Sequence, residues 1–379
     1  MTALNTKGAS AALVAGHMAG MIDMPVLPLW VGILIGGYGL LPAQAGALVT
    51  LFLGGIVISS LLLAPLFHKV PARWLVPLGY AVSAGCFFAM ARATGFAGLA
   101  APHLIAGLFT GMSLSAVHGS MARTANPHRV FAMGGMALGV IAIAFFAVVP
   151  PLVAAQGPQV LFLVLGGIML LGAGINLALF PAELGRAVRA VAKVPFDRAV
   201  WFAMLGILCM AFVQAMIFSF AERVGIDRGF DPELVQRTLI IQGFVAATPN
   251  ILAALLQSRL RPLRVAVGGA IGQAAVACVI VWSSGYSAYL VGVVCFSFVM
   301  LFTHTFVFGH LARIEPTGRA NAATPAMIMA GSATAPLLGG VLVQTLGYSS
   351  LGFVALAFAA IAVFGFSQSR RQAAIPVTA

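Results

Sequence analysis

Apolar residues run along this chain in blocks of about twenty, separated by short polar breaks. Each block is long enough to cross a bilayer as a helix. The blocks place spans at roughly 10–35, 44–67, 74–91, 98–121, 130–153, 159–181, 198–221, 235–257, 265–284, 286–311, 321–345 and 350–368. The expected fold class is therefore all-α integral membrane, with twelve transmembrane helices and both termini on one side. The first block is too long for a secretory leader and further spans follow it at once.

Composition sharpens this picture. The chain has 379 residues, 61% hydrophobic and 7% charged. A soluble domain carries about 25% charged residues, so a soluble fold is excluded. The net charge of +12 raises nucleic acid as a partner, but its distribution argues for topology instead. Sixteen of the twenty Lys and Arg fall on the side that bears the termini, among them Lys7, Arg73, Arg123, Arg129, Arg186, Arg259, Arg313, Arg319 and Arg370. The positive-inside rule puts that side in the cytoplasm. The expected partners are the lipid bilayer and a small-molecule substrate, with no nucleic acid. The four cysteines, Cys86, Cys209, Cys278 and Cys295, fall in four separate spans with no CxxC pair and read as packing residues.

The chain also repeats itself. The loop after the fourth span runs from Arg123 to Arg129 and the loop after the tenth from Arg313 to Arg319, both R-x5-R, and the offset is 190. The loops after the second and eighth spans, beginning at His68 and Ser258, share that offset. Half the chain length is 189.5, so the repeat divides the chain into residues 1–181, a cytoplasmic linker at 182–197, and residues 198–379. Internal duplication of this kind is typical of secondary transporters.

At this point the sequence resembles a known family, the major facilitator superfamily. The resemblance covers the whole chain through helix count, the six-plus-six layout and loop lengths. The loop after the second span reads Ala64-P-L-F-His68-Lys69-V-P-A-Arg73, where the family pattern is G-x-L-x-D-R-x-G-R-R; His68 stands at the Asp position. The fourth span carries His103-L-I-A-Gly107 where the family often has R-x-x-x-G. The eleventh carries Gly331-S-A-T-Ala335-Pro336-L-L-Gly339-Gly340, a pattern that exporters of the family carry on the fifth helix. Residues 220–230, FAERVGIDRGF, are similar to proteins of a bacterial branch. The resemblance implies two pseudo-symmetric six-helix bundles, alternating access, a bacterial inner (plasma) membrane, and a cavity lined by the first, fourth, seventh and tenth helices. A monomer is the expected state.

The titratable residues fall on those same helices. His17 and Asp23 lie on the first, His103 and His118 on the fourth, and His304 and His310 on the tenth. Glu222 stands at the outer end of the seventh. Of eight acids only Asp23 is deep in a span, within AGHMAGMIDMPVLPLW at 15–30. Burying a charge at mid-bilayer costs about 2.5–3.5 kcal/mol on insertion scales, so such groups are expected to face water or a partner. Asp23 shares a helical face with Gly16 and Gly20, and Pro25 and Pro28 after it free backbone carbonyls. It reads as a proton carrier or substrate-binding acid, with a structural acid as the alternative. His17, near Met21 and Met24, His103 and His304 join it as candidates along a proton or substrate path. Gln214, near mid-span on the seventh helix, adds a neutral donor and acceptor. His118 and His310 read as interfacial residues at helix ends, and Trp30, Trp74, Trp201 and Trp282 as belt residues. Arg123, Arg129, Arg313 and Arg319, with Glu183, Asp197 and Glu315 nearby, could form ion pairs that close a cytoplasmic gate.

The reading is a proton-coupled secondary transporter of a small organic solute. No phosphate-binding G-x-x-x-x-G-K-[ST] is present, so no nucleotide or other cofactor is expected. A copper- or iron-type metal transporter is the alternative within the class, since His and thioethers suit soft ions. A polytopic membrane enzyme would need clustered carboxylates or a nucleophile with a base, and no such motif appears.

Overall fold

The structure is a computed structural model and describes residues 6–63, 71–121, 123–124, 127–180, 196–246, 248–256, 259–315 and 319–373. His68, Lys69, Ser258 and nearly all of the linker at 182–197 lie outside the described residues. Among the described residues every regular element is a helix. The chain divides into two compact units, Met1–Val191 and Ala192–Ala379.

The first unit contains α1 (Lys7–Met21), α2 (Asp23–Gly36), α3 (Pro42–Leu63), α4 (Ala72–Met90), α5 (Gly95–Met121), α6 (Pro127–Gln156) and α7 (Val160–Leu179). The second contains α8 (Arg198–Asp227), α9 (Pro232–Val245), α10 (Pro249–Leu256), α11 (Pro262–Trp282), α12 (Tyr286–Ile314), α13 (Arg319–Leu346) and α14 (Ser350–Ala373). Ten helical stretches among the described residues are long and apolar enough to cross a membrane, with α1 and α2 counted as one. The shorter α4 and the pair α9–α10 bring the number of traversals to twelve.

Two of these traversals are broken, and proline explains both. Pro25 has no N–H to give the carbonyl of Met21, the last residue of α1, so the helix yields there and restarts at Asp23. Pro249 likewise cannot serve the carbonyl of Val245, the last residue of α9. The Thr248 N–H and hydroxyl donate to that oxygen instead, at 3.0 and 2.8 Å.

The repeat seen in two loops runs through the described structure. Helices α3 and α9 begin at Pro42 and Pro232, α4 and α11 at Ala72 and Pro262, and α7 and α14 at Val160 and Ser350, each pair 190 apart. Two pairs of turn glycines keep the same interval: Gly39 and Gly229 at φ 66° and 79°, Gly157 and Gly347 at φ 102° and 78°. Those backbone angles suit glycine alone, so the duplication extends to the local geometry of these turns.

Within the first unit, α3 and α5 cross backbone to backbone. A Cβ on Gly55 would lie 2.8 Å from the Leu104 oxygen, and one on Gly111 would lie 2.6 Å from Ile56 Cα. Hydroxyls stitch the neighbouring helices: Ser83 donates to the Ala106 carbonyl, Thr110 to Ser83, Ser113 to the Val76 carbonyl and Ser115 to Ser60. Small residues for approach and hydroxyls for cohesion are how helices associate where water supplies no driving force. In the second unit, Val200, Met204, Ile207, Leu311 and Phe366 form a packed core. Phe212 stacks on Phe358 with ring centroids 4.1 Å apart.

Candidate functional site

Asp23 begins α2, immediately after the break at Ile22. It is 1% exposed, and neither carboxyl oxygen has a hydrogen-bond partner. The backbone N–H groups of Asp23 and Met24 are near it, as the start of a helix arranges. The Gly16–Gly20 face it shares is closed by neighbours rather than open to water. A Cβ on Gly20 would meet the Tyr80 hydroxyl at 2.7 Å and Leu114 at 2.8 Å, and one on Gly16 would meet Val117 at 2.7 Å. Tyr80 donates to the Gly16 carbonyl at 2.6 Å. The small residues therefore admit α4, α5 and α7 close to α1, and the acid points into the interior of the first unit.

His17 faces a different direction. Its Nδ1 lies 2.9 Å from Nε2 of His118 on α5, and the ring centroids are 5.1 Å apart. Phe131 on α6 stands edge-on to both rings. A Cβ on Gly134 would come within 2.7 Å of the His17 ring, so α6 closes on the pair through a glycine. His118, in the last turn of α5, is thus half of a histidine pair. Among the described residues no group of three His, Cys, Asp or Glu gathers as a metal site.

His103 is completely buried and belongs to an aromatic core. It sits 5.6 Å from Trp30 and 5.6 Å from Phe162, centroid to centroid, with Phe52 and Phe87 also around Trp30. Its Nδ1–H donates to the Leu99 carbonyl on its own helix at 2.8 Å, and that tautomer leaves Nε2 as a lone pair with no donor. Trp30 is 0% exposed, so it is a core residue, while Trp74, Trp201 and Trp282 are 59%, 55% and 39% exposed as belt residues are. All four stand in the same apolar context along the chain; only packing separates them.

In the second unit Gln214 lies in a polar network. Its Nε2 donates to Ser297 on α12 at 3.1 Å. Gln273 on α11 donates from Nε2 to Gln214 Oε1 at 3.3 Å and to the Met210 carbonyl at 3.1 Å. Gln273 was not foreseen. Its 2% exposure inside a span is a burial that only a partner permits. His304 stacks on Phe308, and its Nε2 is buried with no partner. His310 meets Ser369 of α14 at 3.0 Å and ties two helices together.

Of the basic loop residues, Arg123 follows α5 in a turn, Arg129 is exposed in the first turn of α6, Arg313 is exposed at the end of α12, and Arg319 opens α13. Two of the acids expected near them act as caps. Glu315 accepts from the Ala320 N–H at 3.1 Å, and Asp197 accepts from the Ala199 N–H at 2.9 Å. Glu183 lies outside the described residues.

Solved structures of similar fold are transporters. The crystal structure of the nucleoside transporter NupG superposes with a TM-score of 0.73 at 14% identity, over 97% of this chain and 99% of its own. A bacterial homologue of the human lysosomal transporter Spinster, in an inward-facing and occupied conformation, gives 0.70 at 14% identity, over 95% and 92%. No curated protein matches the chain in sequence. The family model of the Major Facilitator Superfamily matches residues 12–324. A multi-pass helical chain, a duplicated six-helix unit and that match lead to one conclusion: the chain belongs to the major facilitator superfamily, a family of membrane transporters and not of enzymes.

Proposed function

We propose that the protein is a secondary transporter that moves a small organic solute by alternating access, coupled to protons through Asp23. The observation that carries the reading is a fully buried carboxyl with no hydrogen-bond partner at a proline-broken point of the first traversal. An ionised carboxylate left bare in low dielectric costs several kcal/mol. Such an acid holds a proton in this conformation or finds a partner in another, and exchange between those two conditions is proton coupling. His103, His304 and Gln214 lie on the helices that line the cavity in this family and assist in proton or solute passage. The protein works as a monomer in a bacterial inner membrane, with both termini in the cytoplasm, which the excess of Lys and Arg on that side supports. The loops bearing Arg123, Arg129, Arg313 and Arg319 help to close the cytoplasmic side, and loss of transport in Arg129→Ala and Arg319→Ala is the expected result.

The test uses proteoliposomes with an internal pH dye and opposed gradients of organic acids, amphipathic drugs, and divalent or cuprous ions. Proton movement that requires both one organic solute and Asp23, and that disappears in Asp23→Asn, supports the proposal. Solute flux unchanged in Asp23→Asn makes the acid structural. Flux of a metal ion alone replaces the organic solute with the metal-transporter reading.

A further inference from the structure

Of the histidine pair on α1 and α5, only His17 has entered so far, as a candidate along a proton or substrate path. We propose that His17 and His118 together form a single proton-binding site, in which one proton is shared between the two rings.

The geometry carries this in three ways. First, the 2.9 Å separation of His17 Nδ1 and His118 Nε2 is a hydrogen bond that only one hydrogen can occupy. In the neutral pair one ring donates N–H to the lone pair of the other. An added proton binds an outer nitrogen, His17 Nε2 or His118 Nδ1, and the inner hydrogen bond becomes a charge-assisted imidazolium–imidazole bond. A second added proton would put two N–H groups head to head between two like charges, so the capacity is one. Second, the pair is partnered where the other two rings are not. His103 Nε2 and His304 Nε2 are buried without a partner, whereas His17, 8% exposed, and the partly buried His118 bond each other. Third, among the described residues no acid pairs with either ring. From α6 come the Phe131 ring and the Gly134 backbone. On the neighbouring Gly16–Gly20 face of α1 stand the neutral Asn176 of α7 and Tyr80 of α4, which is bonded to the Gly16 carbonyl. The other ionisable side chains on or beside these elements are Lys7 at the start of α1, Asp23 at the start of α2, Arg73 on α4, His103 on α5, Arg123 after α5, and His128 and Arg129 in the first turn of α6.

This goes beyond the reading of Asp23 and stands or falls separately from it. The experiment is ring-15N histidine NMR on the full-length protein in lipid nanodiscs, titrated from about pH 9 to about pH 4. It runs with wild type, His17→Gln, His118→Gln and Asp23→Asn, beside potentiometric proton uptake. The expected result in wild type, which needs no variant to fold, is a 15N–15N coupling across the hydrogen bond and one common midpoint for both rings. Uptake of one proton per chain should accompany that midpoint. Either glutamine variant should lose the coupling and the common midpoint, and Asp23→Asn should retain both. Two rings with separate midpoints, rings that stay neutral throughout, or loss of the common titration in Asp23→Asn would overturn the proposal. Unchanged solute flux in Asp23→Asn would overturn only the role of Asp23.

Discussion

Gly107 is where the packing of the first unit is least forgiving, and it permits a worked prediction. A Cβ added there would stand 2.7 Å from the carbonyl carbon and 2.9 Å from the Cα of Phe52, on α3. Non-bonded carbons rest at about 3.5–4.0 Å, so Gly107→Ala must move the helices apart by about 1 Å. The obstruction is backbone, so no side-chain rotamer can relieve it. Separation there also loosens the contacts of Gly55 and Gly111 along the same crossing. Overpacking of this kind costs about 1–3 kcal/mol. Helix propensity acts in the opposite direction, since alanine is better than glycine by up to about 1 kcal/mol. Gly54→Ala controls for that gain, because nothing lies within 4 Å of its added methyl. At about 2–4 °C per kcal/mol for a unit of this size, Gly107→Ala should melt about 2–12 °C below Gly54→Ala. Thermal unfolding of the purified protein in detergent, followed by circular dichroism, measures the difference. Equal midpoints for the two variants would refute the close crossing of α3 and α5.

Trp30→Ala should cost about 3–5 kcal/mol by emptying an aromatic core, while Trp201→Ala, half exposed, should change the midpoint by less than about 1 kcal/mol; the same melts compare them. Gln273→Ala removes the donor that serves both Gln214 and the Met210 carbonyl, and should cost about 1–3 kcal/mol. Tyr80→Phe loses the hydrogen bond to the Gly16 carbonyl and should cost about 0.5–1.5 kcal/mol, read by chemical denaturation in mixed micelles. Gly39→Ala and Gly229→Ala force alanine to φ 66° and 79°, and each should cost about 1–2 kcal/mol. Similar losses at the two positions would show that the repeat is conserved in energy as well as in spacing.

What the sequence disclosed depended on whether the deciding interaction was local. Length and hydropathy are local, so the spans and the class of fold were readable from apolar blocks alone. The 190-residue repeat was readable because loops of fixed length keep their few charged residues in register, and the turn glycines follow the same interval. The breaks at Met21 and Val245 need only a proline four residues on. Trp30 and His103 escaped because belt and core residues look alike within an apolar block; what places them is the company of Phe52, Phe87 and Phe162 from three other helices. His118 escaped for a sharper reason. It lies 101 residues from His17, and no periodicity links them. Yet both stand in spans that pack together, and comparing depth across spans would have paired them. The first traversal carries two different chemistries on the two sides of its break. Asp23 opens α2 and is buried in the first unit, whereas His17 on α1 turns to α5 and α6. An acid without a partner and a base with one thus occupy separate faces of a single traversal. Titration of one without the other is therefore the behaviour that this arrangement requires.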